Sequence, residues 1–233
     1  MKISVCIPMY NEEKIISDTV ARLGAYMAEN FEDYEIIFSD DGSRDNCRKI
    51  VEAAEDSRIR AVGYGENKGK GAAVRSGVLN ADGDIIIFTD CDLAYGVDVI
   101  KTAVQKFASE PETDVIVGSR NLDKSGYDGY TLMRKLASKA YIKCLALVAG
   151  FKMTDSQCGF KAFCRETAHE IFKMCEVNGF AFDFEVLIKA NKLGAKIREM
   201  PVKVINHHAS KVNVLRDSIK MLRDLWQIKK NNK

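Results

Sequence analysis

Short apolar runs of strand length alternate along this chain with stretches whose apolar positions recur at helical spacing. Ile3–Ile7 reads as a buried strand, Glu12–Glu29 as a helix, Tyr34–Ser39 as a strand, Arg44–Ala54 as a helix, Ile59–Gly63 as a strand and Gly71–Asn80 as a helix. Asp84–Thr89 is the clearest strand, followed by a helix over Val97–Ser109 and a strand over Asp114–Gly118. This alternation predicts an α/β fold, a mostly parallel open sheet with helices on both faces. The second half is less regular, with helices over Leu132–Val148, Glu166–Met174 and Phe182–Leu193, and strands over Gly159–Phe163, Lys196–Met200 and Val202–Ile205. No internal repeat and no Pro/Gly/Ser-rich linker interrupts the pattern. Residues 1–211 are therefore expected to form one domain, and 212–233 a basic amphipathic helix that docks on the core or lies on a membrane surface.

Composition narrows the class. The 233 residues are 46% hydrophobic and 29% charged with only 3 Pro and 16 Gly, which excludes disordered, collagenous and low-complexity readings. The 7 Cys form an odd set without paired CxxC spacing, and several lie inside apolar runs, so reduced thiols are expected rather than disulfides or a zinc site. The opening MKISVCIPMYNEE turns polar too soon for a signal peptide, and no stretch approaches the roughly 20 apolar residues that span a bilayer. A cytoplasmic location is expected.

Charge is uneven. The net charge is +2, but the segment from Asn206 onward holds seven Lys or Arg against two Asp, a net +5, which leaves −3 for the first 205 residues. In that tail Leu215, Ile219, Leu222 and Trp226 form an apolar stripe opposite the cations, a pattern that suits an anionic lipid interface as well as docking on a core.

In open α/β sheets ligands bind at the carboxyl ends of the strands. Those ends carry Pro8-Met9-Tyr10-Asn11-Glu12-Glu13, Asp40-Asp41-Gly42-Ser43, Asn67-Lys68-Gly69-Lys70-Gly71, Asp90-Cys91-Asp92 and Gly118-Ser119-Arg120. Asp90 and Asp92, emerging from the apolar run Ile85–Phe88, can share a hard divalent cation that in turn binds phosphate oxygens. Asp40 is placed to accept hydrogen bonds from a nucleobase or ribose, although Asp-Asp-Gly-Ser is also simply a turn sequence. The glycines of 67–71 and the helix start behind them suit a phosphate, with Lys68 or Lys70 near a diphosphate. Neither the GxxxxGK[ST] frame nor the GxGxxG frame is met, so P-loop and dinucleotide readings lose their support.

Taken in order, these segments resemble the motif set of family 2 glycosyltransferases with the GT-A fold for nucleotide-diphospho-sugars. Asp155-Ser156-Gln157-Cys158-Gly159-Phe160-Lys161 and Ser210-Lys211 are similar to the polyprenyl-phosphate branch, which includes dolichyl-phosphate glucosyl- and mannosyltransferases. The resemblance implies that Pro8, Tyr10, Asn11, Glu12, Asp40, Asp41, Lys68, Lys70 and Cys91 surround the nucleotide sugar, and that Asp90 and Asp92 bind Mg²⁺ or Mn²⁺ with the diphosphate. It further implies that Arg120 and Lys211 contact phosphate and that the anomeric carbon is inverted; as further cations, Arg134 and Lys161 are assigned with them to the acceptor phosphate. Ala94 and Ile205 stand where the mannosyl enzymes usually have Gln and a basic residue, which favours UDP-glucose over GDP-mannose.

An ionised phosphate acceptor needs positioning more than deprotonation. A hydroxyl acceptor would need a carboxylate base, for which Asp155 and Asp183 are the candidates. A lipid acceptor requires membrane contact, which the helix Leu132–Val148 and the basic tail could give from the cytoplasmic face, unless they pack on each other, on a second copy or on a membrane-protein partner. Nucleic acid is not among the expected partners. The competing readings are a soluble family 2 transferase acting on a glycan, a sugar-phosphate nucleotidyltransferase, and a non-catalytic nucleotide-binding subunit.

Overall fold

A computed structural model describes residues 1–122 and 153–205. The expected helix Leu132–Val148, the basic tail, Cys144, Arg134 and Lys211 lie outside the described residues.

Seven strands form one sheet in the order β3-β2-β1-β4-β6-β5-β7. They are β1 (Ile3–Met9), β2 (Tyr34–Asp41), β3 (Ile59–Tyr64), β4 (Ile85–Thr89), β5 (Val115–Ser119), β6 (Phe160–Cys164) and β7 (Ile197–Pro201). The described helices are α1 (Glu13–Asn30), α2 (Cys47–Glu52), α3 (Lys70–Leu79), α4 (Asp98–Ser109), α5 (Arg165–Met174) and α6 (Phe182–Lys192).

Strands β1, β2, β4 and β5 are buried on both faces, as expected of central parallel strands, while the edge strands β3 and β7 are partly exposed. Successive side chains point to opposite faces. Val5, Ile7, Ile36, Phe38, Ile85 and Ile87 join α1, α2 and α4 in one core. Cys6, Ile37, Ile86 and Phe88 join α3, α5 and α6 in the other. Helix α1 shows how local pattern becomes packing, since its buried positions Ile16, Thr19, Leu23 and Met27 form a single stripe.

Three differences from the sequence reading matter for the site. Strand β2 runs to Asp41, so Asp40 and Asp41 close a strand rather than open a turn. Strand β6 runs antiparallel between β4 and β5, pairing Thr89 with Phe160 and Val117 with Lys161. Reversal brings the segment before β6, residues 153–159, to the same sheet edge as the ends of β4 and β5. Finally, Val202–Ile205 is not a strand. The Val202 and Ile205 N–H groups instead donate to Ser119 O (3.1 Å) and Ala94 O (2.8 Å), tying that segment across the site edge.

Candidate active site

The site edge opens between β1 and β4. Strand β1 pairs with β4 only from Ile3 to Cys6, while it pairs with β2 through Met9. Pro8, which has no N–H to give a ladder, lies beyond the last β4 pair, where the sheet splits. Tyr10 is 37% exposed at this split. Asn11 holds a left-handed backbone (φ 52°), a conformation Asn tolerates. Its N–H donates to Ser43 Oγ (3.0 Å) and its Oδ1 accepts from the Arg44 N–H (2.8 Å), so the β1 and β2 loops are stitched together. Glu12 caps α1, its carbonyl accepting from Ile15 and Ile16. Asp40 is buried, accepts from the Ser43 N–H (3.0 Å), and has the Arg48 guanidinium 3.9 Å away.

Asp41 faces the neighbouring loop. Its carboxylate accepts from the Tyr64 hydroxyl (2.8 Å), the Asn67 side-chain amide (2.8 Å) and the Lys68 (2.8 Å) and Gly69 (2.9 Å) N–H groups. Burial and this carboxylate push the Tyr64 phenol above its ordinary range. Gly69 turns with φ +111°, and a Cβ there would stand 2.4 Å from Asn178 O. The Gly71 N–H in turn donates to Asn178 O (2.8 Å). The backbone donors read from the sequence as a phosphate cradle are thus committed to Asp41 and Asn178. The lysines themselves remain at the site: Lys68 lies over the Tyr64 ring (4.6 Å), and Lys70 opens α3 with its ammonium 2.5 Å from Asp90 Oδ1.

Asp90 and Asp92 sit immediately past β4, both half-buried. Between them Cys91 turns inward into the core, 5% exposed, with its thiol pushed up by burial. Its carbonyl accepts from Thr19 Oγ1 (2.7 Å), so Cys91, expected from the resemblance to face the nucleotide sugar, instead anchors the turn to α1. The Ala94 N–H donates to Asp92 Oδ1 (3.1 Å). Gly159 backs Asp90 from the far side, where a Cβ would stand 2.1 Å from Asp90 Oδ2, so only glycine leaves room for this carboxylate.

Among the described residues no cluster of three or more His, Cys, Asp or Glu forms a complete metal cage. Two carboxylates nevertheless suit a hard cation whose other ligands are diphosphate oxygens and water. The pocket beside Asp90 already holds a cation, the Lys70 ammonium, and is shaped by Gly159 around an ionised carboxylate. Burial opposes the charge on Lys70, and Asp90, Asp183 and Asp92 more than offset it, leaving the ammonium above its ordinary pKa.

Across the edge, Arg120 follows β5 and grips Asp155 through Nε (2.6 Å), Nη2 (2.9 Å) and its own N–H (3.1 Å). Asp155 also accepts from the Gln157 N–H (3.2 Å) and is buried. Burial works against the guanidinium, and the bonds to Asp155 outweigh it, raising Arg120 above its ordinary value. Lys161, expected to meet an acceptor phosphate, is fully buried on β6. It donates to Asp183 Oδ1 (2.5 Å) and Cys158 O (2.9 Å), so its ammonium is already paired within the core. Asp183 is pushed up by burial, against the pull of Lys161 and Lys70.

Several residues at this edge carried no sequence signal. Tyr95 accepts from the Gly159 N–H (3.1 Å), and burial pushes its phenol well above the usual range. Glu199 on β7 accepts from Thr154 Oγ1 (2.6 Å) and the Asp155 N–H (3.1 Å), fixing the segment that presents Asp155. Glu185 accepts from the Glu176 (2.9 Å) and Val177 (2.8 Å) N–H groups and so delivers Asn178 to α3. The Tyr95 and Glu199 contacts join segments 44 to 64 residues apart, a closeness that apolar periodicity does not show.

The family described as Glycosyl transferase family 2 matches residues 4–172. The chain belongs to that family. It is 34% identical, over 95% of its length and 69% of the relative's, to a dolichyl-phosphate beta-glucosyltransferase of Trichomonas vaginalis. It is 30% identical, over 96% of its length and 72% of the relative's, to the dolichyl-phosphate beta-glucosyltransferase of Saccharomyces cerevisiae. Among solved structures it resembles glucosyl-3-phosphoglycerate synthase from Mycobacterium tuberculosis in complex with Mn²⁺, UDP-glucose and glycerol 3-phosphate. That match has a TM-score of 0.75 at 20% identity and covers 97% of this chain and 79% of the other. The fold of this family 2 enzyme is therefore the GT-A fold that its motifs led us to expect. No helix among the described residues is long and apolar enough to cross a membrane.

Proposed function

We propose that this family 2 glycosyltransferase moves glucose, with inversion, from UDP-glucose to a polyprenyl or dolichyl phosphate at the cytoplasmic membrane surface. The observation that carries this reading is the fate of the two carboxylates that could serve a hydroxyl acceptor as base. Asp155 is spent on Arg120 and Asp183 on Lys161, both buried. A phosphate monoester is already ionised near neutral pH, and an acceptor of that kind needs no base. The names of the relatives point to the same acceptor class and to glucose.

In this reading the split between β1 and β4 receives the nucleoside beside Pro8, Tyr10 and Asp40, while Lys68 and Lys70 flank the diphosphate. A divalent ion on Asp90 and Asp92, with Mg²⁺ or Mn²⁺ as candidates, supplies charge neutralisation for the leaving nucleotide. Arg120, held flat by Asp155, faces the acceptor side with its orientation already fixed. Arg134, Lys211, the helix Leu132–Val148 and the basic tail are proposed to complete the acceptor and membrane contacts.

The test is nucleotide release from UDP-glucose and, separately, from GDP-mannose, each with Mg²⁺ or Mn²⁺ and with or without a polyprenyl phosphate. Release from UDP-glucose that requires the lipid and disappears in Asp92→Ala supports the reading. Preference for GDP-mannose overturns the donor, and release stimulated equally by a sugar acceptor overturns the lipid.

A further inference from the structure

We propose that Lys70 is an internal counter-ion for Asp90, one that a divalent ion must displace, so that metal and nucleoside diphosphate enter the site together. The proposal rests on the reading of Asp90 and Asp92 as metal-binding.

Its ground is the way Asp90 is enclosed. One oxygen lies 2.5 Å from the Lys70 ammonium, and the other is backed by Gly159 so closely that no Cβ fits. With side chains 24% and 29% exposed, the pair is reachable from solvent yet poorly screened by it. A metal ion approaching the free protein therefore meets a carboxylate whose charge is already neutralised.

The backbone beneath Lys70 is fixed on both sides. The Gly69 N–H is held by Asp41, the Gly71 N–H by Asn178 O, and Gly71 abuts Phe182 so closely that a Cβ would lie 2.6 Å from it. Displacement is thus a change of side-chain rotamer, with the loop left in place. Of the other negative charges near Lys70, Asp183 is already held by Lys161 and Asp92 is the second metal ligand of this reading, so a new partner for the ammonium has to come with a diphosphate. Metal alone must break the Lys70–Asp90 pair without replacing it. Metal arriving with a diphosphate exchanges one anion for another at Lys70. The two ligands then bind cooperatively, and by linkage each tightens the other by the same factor.

The experiment titrates Mn²⁺ into the full chain, alone and with saturating UDP, reading free Mn²⁺ by electron paramagnetic resonance. Wild type is compared with Lys70→Met, Lys70→Arg and Asp90→Ala. Lys70→Met is expected to bind Mn²⁺ alone roughly tenfold to a hundredfold more tightly than wild type and to lose most of the enhancement by UDP. Lys70→Arg keeps the cation and is expected to stay close to wild type. Unchanged or weaker Mn²⁺ binding by Lys70→Met, with binding abolished in Asp90→Ala, overturns the counter-ion role and leaves the metal reading intact. Mn²⁺ binding that survives Asp90→Ala overturns the metal reading of Asp90 itself, and the counter-ion role with it.

Discussion

Two lysine–carboxylate pairs flank the end of β4, and they differ only in what surrounds them. Lys161–Asp183 and Lys70–Asp90 are each closed at 2.5 Å. The first has side chains 0% and 9% exposed, with the Lys161 ammonium 5.2 Å from the centroid of the Phe88 ring. The second opens to the cleft at 24% and 29%. A buried pair cannot exchange partners, because either charge left alone in the core is heavily penalised. A half-exposed pair can, because water and incoming ions compete for both members. The enclosed pair therefore belongs to the architecture and the open one to the chemistry. Arg120–Asp155 lies between them, at 12% and 2%.

The sharpest way to break this comparison is Lys161→Met. It leaves Asp183 buried without its cation and is expected to cost about 3–5 kcal/mol in urea unfolding at neutral pH. The double substitution Lys161→Met with Asp183→Leu is expected to restore most of that loss, since well-packed apolar residues replace buried pairs at little cost. A single variant as stable as wild type would mean that the pair does not hold the core. Next comes Arg120→Lys, which cannot reproduce the two-pronged grip on Asp155 and leaves one buried oxygen short of a donor. A loss of about 1–3 kcal/mol is expected in the same assay. Asp90→Asn reverses the pattern. Its unfolding free energy is expected to stay within about 1 kcal/mol of wild type, while lipid-dependent nucleotide release falls by roughly a hundredfold or more. Intact release in that variant would remove Asp90 from the chemistry.

The contrast also explains what could be read from the chain alone. Strands such as Ile3–Ile7 and Asp84–Thr89 were legible because burial on both faces demands largely apolar runs, and Asp90 and Asp92 were legible because they follow such a run directly. The direction of β6 was not, since a strand reads the same either way. That one unknown hid the partners. Asp155 meets Arg120 across 35 residues and Lys161 meets Asp183 across 22, contacts that exist only once β6 runs antiparallel. Lys161 looks like a surface charge beside Phe160 and Ala162, yet its strand places it in the core. Cys91 is the converse case, an inward residue between two outward ones, which strand alternation could have indicated.

The smallest effect belongs to the most exposed pair compared here, Arg58–Asp56, with side chains 45% and 27% exposed at the far end of β2 and β3 from the site. The Arg58 hydrogen bonds hold the Asp56 carboxyl down to about 2, from an ordinary 3.8, and burial works only partly against them. A carboxylate lowered in the folded state contributes stability that is fully present above its unfolded value. That contribution is lost as pH falls through the window from 3.8 to about 2. Solvent screening limits it to less than about 1 kcal/mol. The Tyr34 hydroxyl donates to the same carboxylate (2.9 Å), and burial together with that bond pushes its phenol up to about 12. The protonated phenol is thus favoured in the folded state, and its share is lost as pH rises from 10.0 towards about 12. Urea unfolding of wild type and Asp56→Asn from pH 2 to 11 is expected to show a small constant gap between pH 5 and 9 that narrows as pH falls towards 2 and as it rises towards 11. A gap as large as that of Lys161→Met would show that exposure does not grade these pairs, and the distinction between architectural and exchangeable pairs would fall with it.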